Sequence, residues 1–88
     1  MARENIKTSM HIKDVQKSLD TARIWNQTVN VEAWSLEDGG AVIRYYGWLV
    51  KGGYWRGGWH RLMNPRNGQI RTVPDCFIVR FNGHPVHY

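Results

Sequence analysis

Apolar residues recur first at helical spacing and then at strand spacing. Ile12, Val15, Leu19 and Ala22 fall at i, i+3, i+7 and i+10, a stripe along one side of a helix. Lys13, Asp14, Lys17 and Asp20 lie off that stripe and read as a solvated surface. Ser9 suits the N-cap, Asp14 the first turn and Arg23 the last turn, each complementing the helix dipole. The pattern predicts a helix from about residue 11 to 24, or 9–25 with its caps, with Trp25 anchoring it.

From Thr28 the period changes to two. Thr28 to Leu36 is rich in β-formers, and Asp38-Gly39-Gly40 supplies the positive φ angles of a hairpin. Ala41 to Val50 reads as a long strand bent at Gly47. Alternation along it puts Ile43, Tyr45 and Leu49 in the core and Arg44, Tyr46 and Trp48 on the outside. Gly52-Gly53 and Gly57-Gly58 bracket Tyr54-Trp55-Arg56 as a loop tip or distorted hairpin. Trp59–Met63, Gln69–Val73 and Cys76–Phe81 complete the strands, separated by Asn67-Gly68 and Pro74. After Asn82-Gly83, Pro85 to Tyr88 offers a short edge segment. The expected core is Val15, Leu19, Ile43, Tyr45, Leu49, Leu62, Ile70, Phe77, Val79 and Phe81.

This order implies a single domain over 1–88, mainly β (α+β): a mobile N-terminus at 1–8, a helix at 9–25 and a barrel at 28–88. Over residues 11–82 it resembles the SH3-like small barrels, the Sm-like branch in particular. There too an N-terminal helix precedes a five-stranded antiparallel barrel of strongly bent strands. Residues 64–83 (NPRNGQIRTVPDCFIVRFNG) also look like uncharacterised short proteins of Bacteroides-type bacteria and their mobile elements. Neither resemblance supplies an activity.

Charge sharpens the picture. The segment Gly39 to Pro74 holds no acidic residue but six cations and six large aromatic rings. It accounts for the whole formal net charge of +5 and slightly more. Cations interleaved with rings suit a polyanion whose bases can stack. The same rings also suit the core of a small barrel, and aromatic and Arg enrichment also marks protein interfaces. The residues expected to meet nucleic acid are Arg44, Tyr46, Trp48, Lys51, Trp55, Arg56, Trp59, Arg61, Arg66 and Arg71. The cations would meet phosphates and the rings would stack.

Other chemistry is sparse. His60, His84 and His87 lack the converging spacing of a zinc site, so no metal and no cofactor is expected. An Asp75-Cys76 nucleophile pair beside His60 has nothing to orient its base. Cys76, the single cysteine, reads as a small buried hydrophobe and cannot form an internal disulfide. The polar start of the chain and the lack of a ~20-residue apolar run predict neither signal peptide nor membrane span, hence a cytoplasmic protein. The expectation is therefore not an enzyme but a non-catalytic binding module, with low-specificity nucleic-acid binding (RNA or single-stranded DNA) leading. The alternative is a protein-interaction or assembly module of a phage or mobile element that uses the same aromatic patch. Either is compatible with a homo-oligomer.

Overall fold

The structure, a computed structural model, describes residues 8–37 and 39–88, with Tyr54 and Trp55 described by backbone alone. Residues 1–7 of the expected mobile segment 1–8, and Asp38 of the first hairpin, lie outside the described residues. The order is β1 (Met10–His11), α1 (Ile12–Ile24), β2 (Thr28–Ser35), β3 (Ala41–Tyr54), β4 (Trp59–Met63), β5 (Ile70–Pro74), β6 (Ile78–Phe81) and β7 (His84–His87). Single 3-10 turns, Trp55–Gly57 and Asp75–Phe77, precede β4 and β6.

The strands form one mixed sheet in the order β1-β7-β6-β2-β3-β4-β5. The mainly β character with one N-terminal helix agrees with the sequence pattern; the closed five-stranded antiparallel barrel does not. The short edge segment expected at Pro85 to Tyr88 is β7, and one strand, β1, was not legible because it is very short. β1 has two residues, too few to show a period, and it pairs parallel to β7 through Met10 with Val86 and His11 with His87. No described pairing joins β1 to β5, so the curled sheet has two edges rather than none.

All three predicted turns join antiparallel strands. Residues 36–40 link β2 to β3, where the Gly40 N–H donates to the Ser35 carbonyl at 2.8 Å. The Asn64 carbonyl accepts from the Gly68 N–H at 2.7 Å between β4 and β5. Asn82 and Gly83, both at positive φ, turn β6 into β7.

The helix begins two positions later than the Ser9 cap implied. His11 is the N-cap, and its Nδ1 accepts from the Lys13 N–H at 3.0 Å. A 13-residue helix is marginal alone, so α1 depends on packing. Val15, Leu19 and Ala22 are buried, as the stripe predicted, and meet Val29, Val31 and Ala33 of β2 in one core cluster. Trp25 is exposed and does not anchor the helix end.

The side-chain faces of β3 depart most from expectation. Gly47 is an extra residue opposite β2: Tyr46 pairs with Asn30 and Trp48 with Val29. Its φ of 73° is a left-handed backbone that glycine adopts without strain. The Asn30 Oδ1 accepts its N–H at 2.9 Å, so the bulge leaves no orphaned donor. Beyond Gly47 the alternation is shifted by one. Trp48 is therefore buried, 8 % exposed, with its ring edge-on to Tyr45 at 5.0 Å. Val50 is buried too, while Leu49 is half-buried. Tyr45, Leu62 and Phe81 are in the core as expected, and Phe77 and Ile43 pack against it. Ile70 is exposed, and Cys76 is an exposed free thiol rather than a buried hydrophobe.

Candidate nucleic-acid interface

The expected site residues separate into three groups. In the first, the fold supplies the acid that the segment itself lacks. Glu32 of β2 pairs with Arg44 across β3, and the Tyr46 hydroxyl donates to its Oε2 at 2.7 Å. That hydrogen bond, then slight burial and the Glu32 charge, hold the Tyr46 phenol above its ordinary 10.0. On the far side, Arg71 Nη1 lies 3.5 Å from Glu37 Oε1. Arg44, Tyr46 and Arg71 therefore face carboxylates that are distant in sequence.

A second group drops out of a surface role. Trp48 is in the core, for the reason given above, and is not available to a ligand. The side chain of Trp55 lies outside the described residues.

The third group forms a row along β4. Burial alternates along this strand, with His60 and Leu62 inward and Trp59 and Arg61 outward. Three glycines of β3 leave space on that side. The Trp59 ring and backbone lie so close to Gly53 that a β-carbon there would come within 2.3 Å of the Trp59 carbonyl oxygen. Arg61 lies over Gly52, its paired residue, and the Arg66 guanidinium reaches toward Gly47. The Arg61 Cζ stands 5.6 Å from the Trp59 ring centroid, a cation–π contact. Lys51 is a second extra residue of β3, between the Val50–Leu62 and Gly52–Arg61 pairs, and is exposed. Arg56 is exposed in the 3-10 turn beside Trp59. Among the described residues, Lys51, Arg61 and Arg66 make no ion pair.

The chain matches no family model, no curated protein and no solved structure. The described helix is not long and apolar enough to cross a membrane.

One cluster escaped sequence reasoning. His60 is 1 % exposed and bonded at both nitrogens: Nδ1 to Asp75 Oδ1 at 2.7 Å and Nε2 to Asp20 Oδ1 at 2.8 Å. Two carboxylates, one at each ring nitrogen, favour the form with two N–H donors, the imidazolium. Burial opposes that charge, but the hydrogen bonds and charges of Asp75 and Asp20 outweigh it and raise the His60 pKa above its ordinary 6.5. Gln16 of α1 donates to Asp75 Oδ2 at 2.9 Å. The Tyr88 hydroxyl donates to the Asp75 and Ile78 carbonyls, turned inward although its ring is exposed. Burial first, then the neighbouring Cys76 and Asp75 groups, push that phenol up to about 12. Asp20, read from sequence as a solubilising surface residue, thus ties α1 to β4. The signal was faint: a polar residue at an inward position of β4 and an aspartate one residue beyond Leu19. Among the described residues no group of three or more His, Cys, Asp or Glu could hold a metal ion.

Proposed function

We propose that the protein is a non-catalytic module that binds RNA or single-stranded DNA with little sequence preference along the outer face of β4. One observation carries this reading: Trp59, Arg61 and Arg66 form a row seated over the glycines of β3, with no carboxylate among the described residues paired to either arginine. Glycine opposite a large side chain lets a ring and two guanidinium groups lie along the sheet, a surface a phosphodiester chain can follow. Lys51, opposite the middle of β4, and Arg56, in the turn before it, are exposed and add to the positive field. A non-catalytic role is further supported by His60. Its ring is buried on the inner side of β4 with both nitrogens bonded to carboxylates, away from the outer face where the row lies. A cytoplasmic setting fits this reading.

Anisotropy titrations of labelled mixed-sequence oligonucleotides over a range of salt test it. Each phosphate contact to a single strand contributes about −0.7 to the slope of log affinity against log salt. Arg61→Ala and Arg66→Ala should each flatten the slope by about that amount. Trp59→Ala should weaken binding at every salt concentration by about 1–3 kcal/mol. Folded wild-type protein that binds neither RNA nor DNA at low salt, or Arg variants with the wild-type slope, would overturn the proposal.

A further inference from the structure

We propose that the free edge of β5 and the groove beside it bind an extended acidic segment of a partner protein, which joins the sheet as an added strand. This site is separate from the β4 row. Its first element is backbone. β5 ends the sheet order and pairs only with β4, so its outer side offers unpaired N–H and C=O groups. The opposite edge, β1, has two residues and runs directly into α1, so among the described strands β5 is the edge with length to template another.

The second element is apolar. A groove of about 640 Å³ lies between β5 and the end of β2 with the turn that follows. Trp34, Leu36 and Ile70 line it, 50 %, 76 % and 53 % exposed, and Phe77 lies against the core beneath. Three large apolar side chains gathered beside an open edge are a different matter from scattered surface hydrophobes. An added strand presents alternate side chains to one face, which is how such grooves acquire specificity beyond the backbone pairing.

Charge selects the occupant. A second copy pairing β5 to β5 would bring the two β4 rows three strand spacings apart, about 14 Å, on one continuous sheet. Arg61 and its symmetry mate would then repel, weakly at physiological salt, where the Debye length is about 8 Å, and more strongly at low salt. A segment bearing carboxylates meets the same field with the opposite sign. Arg71 stands at the groove as its receptor. With the Gln69 amide oxygen turned toward it, Gln69 accepts from Arg71 Nε and Nη2 at 3.2 and 3.0 Å, which fixes the guanidinium. Its ion pair with Glu37 is solvent-exposed and therefore weak, and a guanidinium has donors enough to accept a second carboxylate.

The test is a titration of isotope-labelled protein, followed by amide and indole NMR signals, with a blocked peptide of alternating Glu and Val about eight residues long. Its Lys/Val twin is the control. The expected result is perturbation of the Ile70–Val73 amides and the Trp34 indole, with the twin about tenfold weaker or worse. Ile70→Ser and Trp34→Ala remove apolar surface at exposed positions without changing the charge, leave the fold intact, and should each weaken the Glu/Val peptide. Perturbations confined to Arg61 and Arg66, equal affinity for the twins, or no binding at millimolar peptide would overturn the proposal. So would edge signals that move with protein concentration alone, which would mean self-pairing. An oligothymidylate added to the peptide complex separates this site from the β4 row: the edge signals should persist, and their loss would show that a single polyanion surface explains both.

Discussion

Replacing His60 by leucine removes the imidazolium between Asp20 and Asp75 while roughly preserving side-chain volume. The two carboxylates then fare differently. Asp20 is partly exposed and can turn to water, whereas Asp75 is 2 % exposed and keeps only the Gln16 side-chain bond among those described. Breaking a buried ion pair by deleting one member costs about 3–5 kcal/mol, mainly through the charge left behind. Against a total stability of about 5–15 kcal/mol for a domain, the variant should be barely folded at 37 °C. Adding Asp75→Asn removes the orphaned charge and should restore part of the loss, a non-additivity expected of contacting residues. The wild type should also carry a pH signature. Because the folded-state pKa of His60 is raised, its stabilisation is complete below about 6.5, the unfolded value, and is lost as pH rises through the folded value. The slope in that window is at most about 1.4 kcal/mol per pH unit. Urea unfolding followed by tryptophan fluorescence from pH 6 to 9 measures both effects, with the double variant as the reference lacking His60. A loss below about 1 kcal/mol in His60→Leu, or identical pH slopes in wild type and double variant, would refute the reasoning.

Three further outcomes follow from packing and hydrogen bonding. Trp48→Ala and Phe81→Ala should each cost about 3–5 kcal/mol in denaturant unfolding; a Trp48 loss under about 1 kcal/mol would return that ring to the surface. Gly53→Ala forces a methyl into the β4 backbone at a positive φ and should destabilise by about 1–3 kcal/mol, visible as a lower Tm, with Gly39→Ala, in open space, as the milder control. Glu32→Gln should lower the pH at which Tyr46 ionises, read by ultraviolet absorbance, because its carboxylate is the leading cause of the raised value.

Much of the fold was legible because it rests on local signals. The stripe of α1 and the Asn-Gly and Gly-Gly turns lie within a few residues of one another, and the structure has them where the pattern does. The errors come from signals that are not local. A single inserted glycine re-aims every side chain after it, so Trp48 could not be assigned until the pairing of β2 with β3 was known. β1 exists only because β7 lies beside it. For the candidate site, the acid-free stretch was read correctly as sequence, but Glu32 and Glu37 enter it from β2 and the turn that follows. Arg61 and Trp59 were rightly placed on one face, because five residues of plain alternation settle that. The aspartates of the His60 cluster sit 40 residues before it and 15 after it, and no spacing rule joins them.

The bulge at Gly47 has a consequence for how β3 could change. Strike Gly47 from the sequence, and Tyr45, Trp48 and Val50 fall into plain alternation. The strand thus carries two instructions on separate residues: the apolar side chains state what goes inside, and one inserted glycine states where the ribbon bends. Deleting Gly47 should leave the inward set together while relaxing the curl that carries the far half of β3, with β4 and β5, back toward β2. Length at this one position is therefore a control on the width of the gap between Trp34 and Ile70, adjustable without rewriting a single core residue.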